Sequence, residues 1–186
     1  MQMREKLLPM CFVACLAVMA ASGAELLNPS FEMPEDPEDW VSDQAAHWGR
    51  WGHWINRETG WTPTRGGDCL LAYHHFRIES DDSSGVYQDV PGITPNTECT
   101  FSVYAFKDSD TNVGQIELRL EPFDGGEALA SAVYRMGDIA KGRWKLISVT
   151  GRNLTDGVRV LIICQPKSKK RSGALKFDEA VLQTDQ

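Results

Sequence analysis

Beyond its first two dozen residues the sequence has no long apolar run. That excludes an ordinary membrane-spanning helix, which needs about 20 consecutive apolar residues. It also lacks any long stripe of apolar residues at helical spacing; "DIAKG", at 138 to 142, amounts to a single turn. A helical bundle, or a parallel sheet with crossover helices, would need several such stripes. There is no internal repeat and no linker long enough to split the chain. Basic residues are outnumbered, 19 Lys and Arg against 26 Asp and Glu, for a formal net charge of −7. A protein of that balance does not bind nucleic acid through a general basic surface. Cysteine is scarce: of five, only Cys69, Cys99 and Cys164 lie beyond residue 24. An odd number excludes a complete disulfide framework, and without a CxxC pair there is no zinc pattern. These cysteines read as structural, either as one bridge plus a thiol or as three buried thiols.

What is present begins with a leader. Arg4 and Lys6 precede "LLPMCFVACLAVMAA", and Ser22 and Ala24 place small residues at −3 and −1 of a cleavage point before Glu25. A basic start, a short apolar core and a small-residue site make residues 1–24 a secretory signal peptide. The expected location is therefore secreted, periplasmic or at the cell surface, without membrane insertion. The remaining residues, 25–186, suffice for one well-buried domain. With the leader removed, 17 basic residues face 25 acidic ones, a formal charge near −8.

The rest alternates. "CTFSVYAF" (99 to 106) sets Cys99, Phe101, Val103 and Ala105 against Thr100, Ser102, Tyr104 and Phe106. "GQIELRLEP", "RWKLISVTG", "VRVLIICQ" and "ALKFDEAVLQT" keep the same period of two, as half-buried strands do. "DDSSG", "PGITPN", "DSDTN", "FDGGE" and "NLTDG" supply turns at strand-sized intervals. Many short strands without helices predict an all-β antiparallel sandwich or barrel. The stretch from Met33 to Asp68 is the exception. It is rich in Pro, Glu, Asp, Gly and Trp, and reads as long loops and short strands laid over one part of the domain.

Four segments then fall in a particular order: "ELLNPSFE", "SGVYQDVPGITPNTECTFSVYAF", "GRWKLISVTG" and "ALKFDEAVL". Together they resemble carbohydrate-binding modules of the family 4, 9 and 22 type, a jelly-roll of the galactose-binding-like group. The likeness spans nearly the whole chain after the leader. It departs where an aromatic precedes "TFSVYA", which is Cys99 here, and where a "PGTT" turn has become "PNTE". The resemblance implies a jelly-roll sandwich, a poly- or oligosaccharide partner, a monomer, and no catalysis. It also implies a structural calcium ion pinning the first segment to the last strand. Glu32 and Asp178 would be its carboxylate ligands, with carbonyls from the loop near Gly67 and Asp68; calcium is hard and gathers such oxygens from distant segments.

The Trp-rich stretch "HWGRWGHWINRETGW", 47 to 61, lies outside that pattern. Sugars offer apolar C–H faces, met by aromatic rings, and hydroxyl rims, met by polar side chains. Trp48, Trp51, Trp54 and Trp61 supply the first kind, and Arg50, His53, Asn56 and Arg57 the second; Tyr73, His74 and His75 on the next strand could join them. Large aromatics are usually buried, so part of this cluster, and Trp144 as well, is expected in the core. His74 and His75 are adjacent on a strand and so point to opposite faces, which argues against a shared metal or catalytic role. "KSKKR", at 167 to 171, reads as a solvated loop, or more sharply as a contact for an acidic glycan. Asn153-Leu154-Thr155 matches a glycosylation sequon. A structural or adhesion domain on the same fold, and less so a small polysaccharide-active enzyme, are the alternatives.

Overall fold

The computed structural model describes residues 24–74, 82–108, 113–168 and 173–185. His75, most of "KSKKR" and all but the last residue of the expected signal peptide lie outside these. Ten strands follow in chain order: β1 (Gly49–Trp51), β2 (Ile55–Thr59), β3 (Cys69–Tyr73), β4 (Ser84–Pro91), β5 (Glu98–Lys107), β6 (Val113–Pro122), β7 (Ala130–Arg135), β8 (Trp144–Arg152), β9 (Gly157–Pro166) and β10 (Leu175–Asp185). One 3-10 turn, Met136–Asp138, is the only helical element among the described residues, two residues ahead of the turn expected in "DIAKG".

The strands form two five-stranded sheets, β1-β4-β9-β6-β7 and β2-β3-β10-β5-β8, every neighbouring pair antiparallel. This is a jelly-roll β-sandwich. The alternation read from the sequence explains it strand by strand. Cys99, Phe101, Val103 and Ala105 of β5, Ile116, Leu118 and Leu120 of β6, and Val158, Val160, Ile162 and Cys164 of β9 all enter one interior cluster. Successive side chains on a strand alternate faces, so the residues between them point away from that interior. All three described cysteines are buried free thiols, which decides between the two readings left open by the sequence.

Part of the Trp-rich stretch fills the interior's edge. Trp48 is buried, with its ring tilted against Phe31 at 5.1 Å and its Nε1–H donating to the Asn28 carbonyl at 3.0 Å. Trp54 joins the same cluster. Trp144, expected in the core, is instead half-buried: its register partner Phe106 points outward, and the two rings sit 5.3 Å apart on the outer face.

Candidate functional site: the outward faces of the two sheets

Register fixes what the outer face of the first sheet presents. One rung across its five strands is Trp51, Gly85, Ile163, Glu117 and Val133. The next is Gly49, Tyr87, Leu161, Arg119 and Ser131. A third carries Asp89, Arg159 and Glu121, and on the opposite flank lie Gln165, Gln115 and Arg135. The intervening Val86, Ile162 and Leu118 belong to the interior cluster, which sets these rungs outward. Ile163 and Leu161 form a low apolar floor, nearly covered by taller neighbours, while Val133 is half exposed. Trp51 and Tyr87 are half-buried, with ring centroids 6.4 Å apart and planes inclined by 38°.

The charged groups along its β4, β9 and β6 strands come already paired. Arg159 donates through Nε and Nη2 to the two oxygens of Asp89, at 2.9 and 2.7 Å, and its guanidinium lies 4.5 Å from the Tyr87 ring centre. Arg119 reaches Glu117 at 2.7 Å and Glu121 at 3.2 Å. These hydrogen bonds, first Asp89 for Arg159 and first Glu117 for Arg119, hold both guanidiniums above their ordinary pKa. The result is a row of fixed donors and acceptors across β4, β9 and β6, three carboxylates paired with two guanidiniums. Such a surface, an aromatic pair beside an apolar floor with rigid polar groups along both sides, suits a ligand that has apolar faces and a hydroxyl rim.

The outer face of the second sheet is covered over β3 and the adjoining part of β10, while Leu146, Thr150 and Val181 on its β8 side stay exposed. Residues 60–68 cross it as a strap. The Nζ of buried Lys176 donates to the Thr62 carbonyl at 2.6 Å and lies 5.1 Å from the Trp61 ring and 5.2 Å from that of Phe106. The Arg65 guanidinium stands 3.6 Å from the Tyr104 ring centre and its Nε meets Glu179 at 2.7 Å. Beneath the strap, Leu70 and Ala72, the outward residues of β3, are wholly buried.

Two carboxylates tie the strap down. Asp178 accepts the Arg65 N–H at 2.7 Å and the Gly66 N–H at 3.1 Å, and its other oxygen takes the Glu179 N–H. Burial pushes its pKa up in spite of those bonds. Glu32 accepts from the Asp68 and Cys69 amides, each at 3.2 Å. These are two of the residues expected to hold calcium, but the loop turns N–H donors toward them where a hard cation needs oxygens. Among the described residues no three Asp, Glu, His or Cys side chains converge as a metal set. The donor set in this arrangement does not fit the ion, and the pinning expected of calcium is carried by amide hydrogen bonds.

The residues singled out from sequence therefore separate. Trp51 alone among the aromatics stands on the open face. Trp48, Trp54 and Tyr73 are interior, so as ligand contacts they are corrected to core. Arg57 is also corrected. Almost wholly buried, it donates to the carbonyls of Phe31, Glu32, Trp40 and Ser42 and to the Cys69 Sγ, clasping the N-terminal loops. Arg50 pairs with Asp43 at 3.0 Å and with the Asn56 side chain at 2.6 Å, away from Trp51. His53 is exposed beside Trp54, and Trp61 belongs to the strap, edge-on to His74. Asp68 is exposed on the strap. Tyr87, Leu161, Ile163, Arg119 and Arg159 were missed. The signal existed in the outward positions of "SGVYQDV", "GQIELRLEP" and "VRVLIICQ", but strand order, which the sequence hides, is what assembles them.

No protein-family profile matches the chain, and no curated protein matches it. Solved structures share the fold. A Stig cyclase, Fisc from Fischerella sp. TAU, solved in complex with (3Z)-3-(1-methyl-2-pyrrolidinylidene)-3H-indole, is 16% identical over 85% of this chain and 94% of that one, with a TM-score of 0.63. TmCBM61 in complex with β-1,4-galactotriose is 15% identical over 86% and 97%, TM-score 0.58. The CBM22-1-GH10 modules of Clostridium thermocellum xylanase Xyn10B, complexed with xylohexaose, give 16% over 88% of this chain and 28% of that one, TM-score 0.54. The chain thus has a fold shared by carbohydrate-binding modules and by a cyclase.

Proposed function

We propose that this is an exported, monomeric, non-catalytic carbohydrate-binding protein of the same kind as the modules of families 4, 9 and 22. The glycan lies across the strands of the first sheet, over Trp51, Gly85, Ile163, Glu117 and Val133. Five strands at their usual spacing give this path a length of about 19 Å, the span of a short oligosaccharide. The observation that carries the reading is the Trp51–Tyr87 pair lying open beside pre-paired Arg119 and Arg159. The rings meet the apolar faces of the sugar, and the fixed guanidiniums and carboxylates meet its hydroxyls, in the division of labour usual for ligand sites. Likeness to sugar-bound modules supports the partner class without naming the sugar. One feature favours the alternative of a structural domain on the same fold: the Arg159 guanidinium covers part of the Tyr87 ring.

Calorimetric titration of the mature protein with β-1,4-galactotriose and xylohexaose, within a wider panel of neutral and sulfated glycans, separates the two. Saturable binding to one class, weakened about fivefold or more in a folded Trp51→Ala variant, is the expected result; about 1–3 kcal/mol per stacked ring underlies that figure, by analogy with stacked bases. Absence of binding across the panel sinks the proposal and leaves the structural domain.

A further inference from the structure

The two aromatic rings of the open face share an arrangement: each sits opposite a glycine. Trp51 pairs across strands with Gly85, and Tyr87 with Gly49, so that the same two strands exchange ring for glycine in successive outward rungs. A Cβ built on Gly85 would overlap the Trp51 indole, and one built on Gly49 would overlap the Tyr87 phenol. Neither glycine has a positive φ, so neither is required by the backbone for a left-handed turn. What they supply is space. On an ordinary strand the side chains stand roughly perpendicular to the sheet. Here each ring folds down into the gap left by the missing Cβ, as aromatics do over an edge glycine.

We propose that Gly49 and Gly85 are positioning residues of the glycan site, setting the posture of the two rings and with it the face-on mode of binding. This rests on the function proposed above. Rings lying down present a broad face to solvent and can take a pyranose stacked on top. Rings standing up would present edges and form two walls across the path. The 38° between the planes fits two sugar rings inclined to each other along a single chain, not a flat array of parallel chains. The same pairs leave Gly137, which has nothing near its would-be Cβ and an ordinary φ, as a glycine outside the device.

The test compares Gly49→Ala, Gly85→Ala, Trp51→Ala and Gly137→Ala in the mature protein by two readouts. The first is affinity for whichever of β-1,4-galactotriose and xylohexaose the native protein binds. The second is the indole N–H spectrum by NMR, in which the Trp51 signal is the one missing from Trp51→Ala. At Gly85 an added Cβ also meets the Ile162 carbonyl, so that variant risks misfolding; at Gly49 only the tip of a side chain must move. Expected are a fall in affinity of at least tenfold in both alanine variants that fold, a shift of the Trp51 indole signal with the other five in place, and no change in Gly137→Ala. Folded variants that bind as the native protein does, with the Trp51 signal unmoved, overturn the inference. If the native protein binds no glycan, the proposed function fails, and the indole signal alone decides whether the glycines set the rings.

Discussion

On the first sheet, Trp51 and Tyr87 lie open to one side of paired arginines; on the second, Trp61 and Phe106 close around Lys176 under a strap. Both faces carry aromatics, cations and carboxylates, so composition does not distinguish them. Coverage does. The second face gives its ammonium a carbonyl, two rings and the Asp108 carboxylate, and its Asp178 carboxylate three amides, with Lys176 and Asp178 themselves buried. Buried polar groups that are fully partnered rigidify a structure. The first face pairs its charges in the same way but leaves them within reach of solvent, which is what a pre-formed recognition surface needs. An aromatic pair with satisfied polar neighbours reads as stability where a loop covers it and as recognition where none does.

This contrast breaks most visibly within the tryptophans. Trp48→Ala should lose about 3–5 kcal/mol of stability, the usual result of emptying a core aromatic site. Trp51→Ala should lose less, about 1 kcal/mol, since its ring is only partly buried and gives up its contacts with Tyr87 and over Gly85 rather than a core site. Chemical denaturation of the two variants measures the difference, and equal losses would mean that the open face is core after all. Asp178→Ala comes next, at about 2–3 kcal/mol, because three buried or partly buried amides lose their acceptor. It should also make the strap the first site of proteolytic cleavage, read by mass spectrometry of limited digests; a native-like digest would show that Asp178 does not hold the strap.

A smaller effect concerns Asn153. Its side chain is buried, with Nδ2 donating to the carbonyls of Ile93 at 3.0 Å and Thr155 at 2.7 Å. A glycan attached there would take away one of those N–H bonds and demand an exit from a closed site. Expressed in a glycosylating host, the folded protein should carry no sugar on the Asn153 sequon, and intact mass decides this directly.

The fold was legible because alternation is a local signal: "CTFSVYAF" and "VRVLIICQ" each state which residues face inward, and the sheets obey. The strap was not. Its residues, from Gly60 to Asp68, have no period, and Lys176 reads in sequence as an exposed strand residue, since nothing nearby announces the Thr62 carbonyl 114 residues away. Trp48 and Trp51 are three apart in a single stretch, yet one is core and the other open. That outcome turns on β1 being an edge strand paired to β4, a long-range fact. The glycines opposite Trp51 and Tyr87 were equally invisible, because a glycine's meaning in a sheet depends on its cross-strand partner.

The smallest expected effect is a null with consequences. If amide donors do the pinning at Glu32 and Asp178, removing calcium changes nothing, and a chelator added to the mature protein should leave its melting temperature where it was. If calcium does bind there, the loop must turn so that carbonyls replace the Arg65, Gly66, Asp68 and Cys69 amides around the two carboxylates. Linkage then requires the melting temperature to rise with calcium concentration, by about 2.7 kcal/mol of stability at a hundred times the dissociation constant. Thermal melts across a calcium series distinguish the two. A concentration-dependent rise, lost in Asp178→Asn, would restore the ion and move the strapped face from self-sufficient to metal-dependent. The open face would be untouched in either case, because neither carboxylate belongs to it.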